Sequence, residues 1–169
     1  MISLIAALTS NCVIGRNNTI PWVLPADLDW FKKHTINKPI LMGRLTWETL
    51  PCPLSERLNI VMSHYRREST TIVKWVTSIE EALIVAGAAL ELMVIGGGKI
   101  YQQFMPKARR LYLTHINTVL LGDTYFPNYD LNQWKKIFSK YCYRGQSNKY
   151  NLYFEILERK NEDNDTFKK

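Results

Sequence analysis

One carboxylate, Asp27, lies in a stretch that is otherwise almost entirely apolar: Pro21-Trp22-Val23-Leu24-Pro25-Ala26-Asp27-Leu28-Asp29-Trp30-Phe31. A helix can start at Pro25, because the N–H that proline lacks would have no partner in a first turn. Asp27, Leu28 and Phe31 then fall at i, i+1 and i+4 on one face, with Trp22 close by in the chain. Walling in a carboxyl raises its pKa unless a cation or a donor compensates. Such a group suits proton chemistry, or the gripping of a cationic or amidine-like ring edge. The alternative is an aspartate that caps free amides at a helix start, where the dipole favours it.

A second segment, Val94-Ile95-Gly96-Gly97-Gly98-Lys99-Ile100-Tyr101, reads as a strand, three glycines and a helix start. Backbone without side chains lets a phosphate approach the amides at a helix N-terminus. The spacing matches neither the Gly-x-Gly-x-x-Gly fingerprint nor the Gly-x-x-x-x-Gly-Lys-Ser/Thr loop. A tight turn that brings strand and helix close is the competing explanation. A third segment, Met42-Gly43-Arg44-Leu45-Thr46-Trp47-Glu48, repeats the strand-glycine-helix order with a cation and a hydroxyl at the helix start. Two such junctions in one sheet would anchor a dinucleotide beyond the carboxyl ends of the strands.

The elements that must position these groups alternate in type. Ile2 to Leu8 reads as a buried strand, and Asn11 to Thr19, with Gly15 and Asn17-Asn18, as a long polar loop. The helix from Pro25 extends to about Thr35. Pro39 to Met42 reads as a strand entering a short helix through about Leu50, where Pro51 and Pro53 break the pattern. Strands follow at Leu58 to Met62 and Thr71 to Val76. Ser78-Ile79-Glu80-Glu81 is a capping box ahead of Ala82 to Ala86, with Gly87 as the stop. Leu92 to Ile95 is continuously apolar, hence buried on both faces. Strands at Leu111 to His115, Thr124 to Phe126, Trp134 to Tyr141 and Tyr150 to Glu158 complete an α/β pattern that turns antiparallel at its end. From Arg159 to Lys169 apolar side chains are few, and a mobile tail is expected.

At 169 residues and 46% hydrophobic content the chain is sized for one domain, able to bury roughly two thirds of its unfolded surface. No run approaches the ~18 apolar residues of a membrane span, and the opening Met-Ile-Ser-Leu-Ile-Ala-Ala-Leu lacks a basic leader, so a cytoplasmic protein is expected. Cys12, Cys52 and Cys142 show no Cys-x-x-Cys pairing, and His34, His64 and His115 show no ligand spacing with them; neither a disulfide framework nor a metal site is expected. The net charge of +7 raises the question of an anionic partner. The basic pairs Arg66-Arg67, Arg109-Arg110 and Lys135-Lys136 are dispersed, however, and no helix-turn-helix, zinc or aromatic RNA-binding motif accompanies them.

Taken in order, these segments resemble dihydrofolate reductases, in particular the enterobacterial chromosomal form. The resemblance rests on Ile2-Ser3-Leu4-Ile5-Ala6-Ala7, Val13-Ile14-Gly15, Pro21-Trp22, Leu24-Pro25-Ala26-Asp27-Leu28, Met42-Gly43-Arg44, Thr46-Trp47-Glu48 and Met93 to Gly98. It continues through Leu111 to Ile116, Gly122-Asp123-Thr124 and Phe154 to Arg159, so that residues 1–159 form the family domain and 160–169 the tail. The family implies a single-domain α/β fold: a central eight-stranded, mixed but mostly parallel sheet flanked by about four helices. It implies NADPH-dependent reduction of 7,8-dihydrofolate, a monomer, and sensitivity to diaminopyrimidine or pteridine antifolates. A structural relative without activity would be expected to lose Asp27, Arg57 or the glycine turn, and this chain keeps all three.

The same resemblance assigns residues. Asp27 would grip the amino-pyrimidine edge of the pterin and favour protonation of the ring nitrogen, with Trp22 and Thr114 completing the catalytic set and Thr114 holding Asp27 by a hydrogen bond. Ile5, Ala6 and Ile95 would meet the ring. Leu28, Phe31, Leu50 and Leu54 would line the benzoyl channel, and Arg57, helped by Lys32, would bind the glutamate carboxylates. For the cofactor it implies Ala7, Ile14, Gly15, Gly43, Arg44, Leu45, Thr46, Ser63, His64, Gly96, Gly97, Gly98, Lys99, Ile100 and Tyr101, with a cis Gly96–Gly97 peptide. Leu45 stands where relatives often carry a basic residue or histidine, and His64 where they carry serine. Pro51-Cys52-Pro53 lacks the usual glycine and basic residue, and Lys149 and its neighbours differ from the loop that contacts the active-site loop in enterobacterial relatives.

Overall fold

The computed structural model describes residues 1–145 and 148–161. Its centre is an eight-stranded sheet. β1 (Ile2–Thr9), β3 (Ile40–Gly43), β4 (Asn59–Met62), β5 (Val73–Val76), β6 (Leu92–Gly96), β7 (Arg110–Ile116), β9 (Trp134–Cys142) and β10 (Leu152–Arg159) lie in the order β5-β4-β3-β6-β1-β7-β10-β9. β10 is antiparallel to both of its neighbours, and the other pairings are parallel. The helices are α1 (Pro25–Thr35), α2 (Arg44–Trp47), α3 (Ile79–Ala86) and α4 (Gly98–Phe104). A mixed, mostly parallel sheet with four helices agrees with the sequence expectation.

The alternation of side chains along each strand divides the core into two layers. Leu4, Leu41, Val94, Leu111 and Leu113 pack with Ala82 of α3 and Phe104 of α4 on one face. Ile5, Ile40, Met42, Met93 and Tyr112 pack with Trp30 of α1 on the other. Strands covered on both faces must be apolar at consecutive positions, which is why β3 and β6 read as unbroken runs and β1 is interrupted only by buried Ser3 before it ends at Thr9. No helix among the described residues is long and apolar enough to cross a membrane.

Several boundaries are refined. The loop expected over Asn11 to Thr19 contains a short strand, β2 (Val13–Gly15), which pairs antiparallel with β8 (Thr124–Tyr125) in a separate two-stranded sheet. Three residues between polar neighbours are too few to show a period. α2 stops at Trp47, three residues before the Leu50 expected. Ser78 caps α3 by accepting the Glu81 N–H, while Glu81 reaches back to the Thr77 N–H instead of that of Ser78. Arg159 belongs to β10 and not to a tail: its guanidinium donates to the Ala108 and Met105 carbonyls and lies over Trp134. Residues 162–169 of the expected tail fall outside the described residues.

Gly122, just ahead of β8, packs directly on β2 within the small sheet. A Cβ built there would stand 2.3 Å from Val13 Cγ1 and 2.7 Å from the Gly15 carbonyl oxygen. Because one contact is backbone, relief requires β2 to shift. Gly122→Ala should therefore displace the Asn11–Thr19 segment and cost about 1–3 kcal/mol of stability, the usual range for overpacking. Urea unfolding of the variant, with amide exchange of residues 13–15 as a local readout, checks both parts.

Candidate active site

β1 hydrogen-bonds to β6 only as far as Leu4↔Val94, yet continues beside β7 up to Thr9↔Ile116. Beyond Leu4 the sheet parts between β1 and β6. The backbone of Ile5 to Ala7 faces that of Ile95 to Gly97 across the opening. One carbonyl at this edge is taken: the buried Tyr101 hydroxyl of α4 donates to Ile5 O at 2.6 Å. Ile5 packs in the layer that contains α1, whereas the Ala6 side chain faces the opposite layer. Ala6 can therefore offer the opening its backbone only.

Asp27 sits above this parting, in the first turn of α1. The N-cap position belongs to Leu24, without a side-chain cap, and the Asp27 N–H itself donates to Leu24 O. The aspartate thus does not serve as a helix cap. Burial pushes its carboxyl up to about 6, and the neighbouring Thr114 hydroxyl opposes that shift more weakly. Thr114 lies on β7 with its side chain fully buried, close enough to influence the carboxyl, yet its Oγ1 has no regular hydrogen bond among the described residues. The expected Thr114–Asp27 hydrogen bond is thus a close approach without that geometry. The Asp27 charge in turn helps hold the Tyr101 hydroxyl protonated, second to burial.

The face of α1 differs from expectation. Trp30 and Thr35 are its buried residues, and Trp30 stacks on Phe154 and Phe138. Leu28 is exposed and Phe31 half-buried. Instead of walling Asp27 into the core, these two rim an apolar mouth, where Phe31, Trp22, Leu50, Leu54 and Ile95 are half-buried against the same layer. Lys32 is exposed on the helix beyond them. Arg57, half-buried, is oriented by donating from Nε to Ser55 O and from Nη1 to Thr35 Oγ1, both at 2.9 Å. Thr35 is itself fixed by donating to Phe31 O. The guanidinium is thus aimed before any ligand arrives.

The other side of the parting carries the glycines. The Gly96–Gly97 peptide is cis, and Gly96 has φ of 122°. A Cβ at Gly96 would meet the Tyr101 ring and hydroxyl at 3.2 Å, one at Gly97 would meet Thr46 Oγ1 at 3.3 Å, and one at Gly98 would meet Tyr125 O at 3.2 Å. Because β3 and β6 are neighbours, with Met42 opposite Gly96, the two strand-to-helix junctions meet in space. Beyond them opens a groove of about 1580 Å³. Its lining includes Gly43, Arg44, Leu45, Thr46, Ser63, His64, Gly97, Gly98, Lys99 and Ile100, ten of the positions implied for a cofactor. Ala7, Ile14, Gly15, Gly96 and Tyr101 lie outside it.

Thr77, Ser78, Gln102 and Gln103 also line the groove and are absent from the sequence expectation, because nothing local distinguishes a polar residue facing a groove from one facing solvent. The small sheet roofs it. Asn17 N–H donates to Asp123 Oδ2 at 2.7 Å, Asp123 N–H to Gly15 O, and Asn18 Nδ2 to Leu45 O at 3.3 Å. Exposed Leu45 therefore contributes a backbone contact across the groove. No cluster of three or more His, Cys, Asp or Glu that could hold a metal ion occurs among the described residues.

Fold and site together define an α/β protein with a dinucleotide-sized groove and, outside its lining at the parting of the sheet, one acid held near neutrality. The family model described as dihydrofolate reductase matches residues 1–159. The dihydrofolate reductase of Buchnera aphidicola subsp. Schizaphis graminum is 52% identical over 160 residues, covering 94% of this chain and 99% of the relative. That of Haemophilus influenzae is 45% identical over 158 residues, covering 94% and 98%. A solved structure of dihydrofolate reductase from Enterococcus faecalis, complexed with NADP(H) and RAB-propyl, superposes with a TM-score of 0.87 at 32% identity, covering 95% of this chain and 97% of that one. The chain belongs to the dihydrofolate reductase family.

The raised pKa of Asp27 sets a stability cost with a definite sign. Well below the ordinary value of 3.8 the carboxyl is protonated in both folded and unfolded chains, so nothing is lost. Between 3.8 and about 6 only the folded form keeps the proton, and stability falls as pH rises. Above that window both forms are ionised and the full penalty remains, of the order of 2 kcal/mol after allowance for solvent at the rim. Asp27→Asn should therefore stabilise the unliganded protein by about 2 kcal/mol at pH 8 and by no more than about 0.5 kcal/mol at pH 4. Urea unfolding at the two pH values measures the difference.

Proposed function

We propose that the protein reduces 7,8-dihydrofolate to 5,6,7,8-tetrahydrofolate with NADPH, supplying one-carbon metabolism. The observation that carries this reading is the Asp27 carboxyl, poised near neutrality where the sheet parts beside a glycine-lined groove. The missing side chains at Gly97 and Gly98 leave room against Thr46 and Tyr125, which fits a pyrophosphate lying on backbone amides. When bound, NADPH supplies the hydride. Everything else is the work of this chain.

In this reading the pterin enters between β1 and β6, with its amino-pyrimidine edge on Asp27 and its faces against Ile5 and Ile95. An acid with pKa near 6 is protonated often enough at neutral pH to favour a proton on the ring nitrogen next to the carbon that accepts hydride. Thr114 and Trp22 bound the space around the carboxyl and limit water to what proton relay requires. Phe31, Leu50 and Leu54, with Leu28 at the rim, take the benzoyl group, and Arg57 meets the glutamate α-carboxylate with its planar fork, Lys32 lying further out. Arg44, Thr46, Ser63, His64 and Lys99 supply hydrogen-bonding or charged groups for the cofactor phosphates. Diaminopyrimidine and pteridine antifolates would grip the same carboxylate.

A cytoplasmic, monomeric enzyme belongs to the same proposal, and the free thiols of Cys12, Cys52 and Cys142 suit a reducing compartment. The competing nucleic-acid reading is disfavoured because each basic pair has a member already matched to an acid: Arg66 to Glu81 and Arg67 to Glu48, Arg110 to Glu158, Lys136 to Glu155.

The direct test follows NADPH absorbance with and without dihydrofolate; no dihydrofolate-dependent loss of signal would sink the proposal. Asp27→Asn should lower turnover near pH 7 by ~10²-fold, the scale of a lost proton-transfer role, with partial recovery in acid as solvent protonates the substrate. Arg57→Ala should weaken dihydrofolate by ~2 kcal/mol through loss of a charge-assisted pair. A pteridine without the glutamate tail serves as control: if it weakens equally, Arg57 acts through its bonds to Thr35 and Ser55 instead.

A further inference from the structure

Arg67, after β4, does not line the cofactor groove and has no part in ligand binding in the reading above, yet it reaches Glu48, the partner of groove-lining Arg44. Arg44, which lines that groove, spends its guanidinium on Glu48: Nη1 donates to Oε1 at 2.9 Å and to Oε2 at 2.8 Å. Arg67 Nη2 approaches the same Oε1 at 3.4 Å. Its guanidinium lies 4.7 Å from the centroid of the Trp75 ring. Trp75 is buried and packs edge-on to Trp47 of α2, so the platform under Arg67 is fixed by the core and joined to the helix that carries Arg44.

We propose that Arg67 is a specificity-determining positioning residue, holding Glu48 so that Arg44 can turn to the 2′-phosphate of the dinucleotide. This rests on the NADPH reading of the groove. Without Arg67, Arg44 and Glu48 form a neutral pair. Turning Arg44 toward a phosphate would then leave a bare carboxylate within a Debye length of a dianion, two like charges with little screening between them. With Arg67 on its aromatic platform, Glu48 keeps a cationic partner throughout, and the three side chains together present one net positive charge. NADH lacks the 2′-phosphate and so gains little from the arrangement. Arg67 does not touch the ligand; it acts through Glu48.

The test measures dissociation constants of NADPH and NADH at low salt for the parent, Arg67→Ala, Glu48→Gln, the double variant and Arg44→Ala, with urea unfolding to confirm that each is folded. Arg67→Ala should weaken NADPH about tenfold and NADH less than about twofold, on the scale of a charge-assisted contact. In the Glu48→Gln background, where no carboxylate needs a partner, removing Arg67 should change NADPH affinity by less than about twofold. Arg67→Lys, which keeps the charge without the planar fork, should recover part of the loss. Equal weakening of both cofactors would overturn the proposal. So would a loss of about tenfold that persists in the Glu48→Gln background, since Arg67 would then be acting on the phosphate itself. Arg44→Ala separates the two levels. If it leaves the NADPH preference unchanged, the 2′-phosphate site is not here and both readings fall. If it abolishes the preference while Arg67→Ala does not, only the role of Arg67 falls.

Discussion

The constraint on which the structure depends is the parting of two parallel strands. A parallel sheet normally satisfies its interior backbone groups through its neighbours, and a gap leaves buried donors and acceptors that must be matched or lined. Here β1 leaves β6 after Leu4 and Val94, at the carboxyl end of the sheet, which is where open α/β sheets present ligand sites. The opening survives because each flank is secured elsewhere. β1 remains zipped to β7 as far as Thr9, β6 to β3 as far as Gly96, and the Tyr101 hydroxyl matches the Ile5 carbonyl from the side. The cleft is therefore a built feature of the sheet.

That opening explains how one carboxylate can serve a site with little other titratable machinery. α1 is anchored by Trp30 on Phe154 and Phe138 and by His34 on Tyr112, all on its sheet-facing side. This docking presses Asp27 toward the gap, where burial outweighs what Thr114 offers and the carboxyl holds its proton more tightly than in water. Strong compensation, such as an adjacent arginine, would have returned the acid to its ordinary range and made it a poor proton source. Arg57, a candidate by type, is instead held at the far end of α1 by Thr35 and Ser55. The separation of the cation from the acid lets each keep its own character.

How much can be read from the sequence follows from the range of the interactions. α1 is legible to the residue because its limits are local, a proline at the start and a turn through Asn37 at positive φ at the end. The three glycines are conspicuous because a strand and a helix both point at them. By contrast, β2 exists only because β8, more than a hundred residues later, offers it a partner and Gly122 leaves it room. The exposure of Leu28 is likewise hidden, since helical spacing says which residues share a face but not which face meets the sheet. The link from Arg67 to Glu48 spans 19 residues and passes through a tryptophan platform, and no spacing rule joins them.

The same distinction of range bears on which parts of the site can move. The acid, the glycine junctions and Tyr101 hang on sheet pairings and buried contacts, so displacing them means opening the core. The roof over the groove is anchored at one place by fully buried Val13, whose N–H donates to Thr9 Oγ1, while its outer parts hang on hydrogen bonds at the surface: Asn17 to Asp123, Asn18 to Leu45, and Asn11 Nδ2 to Leu120 O. Exposed bonds with little apolar burial behind them are the ones that open at low free energy. Asp123 also binds two partners through different oxygens, Asn17 through Oδ2 and Thr124 through Oδ1, so one carboxylate ties the roof to the small sheet that supports it. Held this way, the Asn17–Asn18 tip can lift while Val13 stays anchored beside β1, and a ligand could then enter or leave without losing the alignment that the chemistry requires.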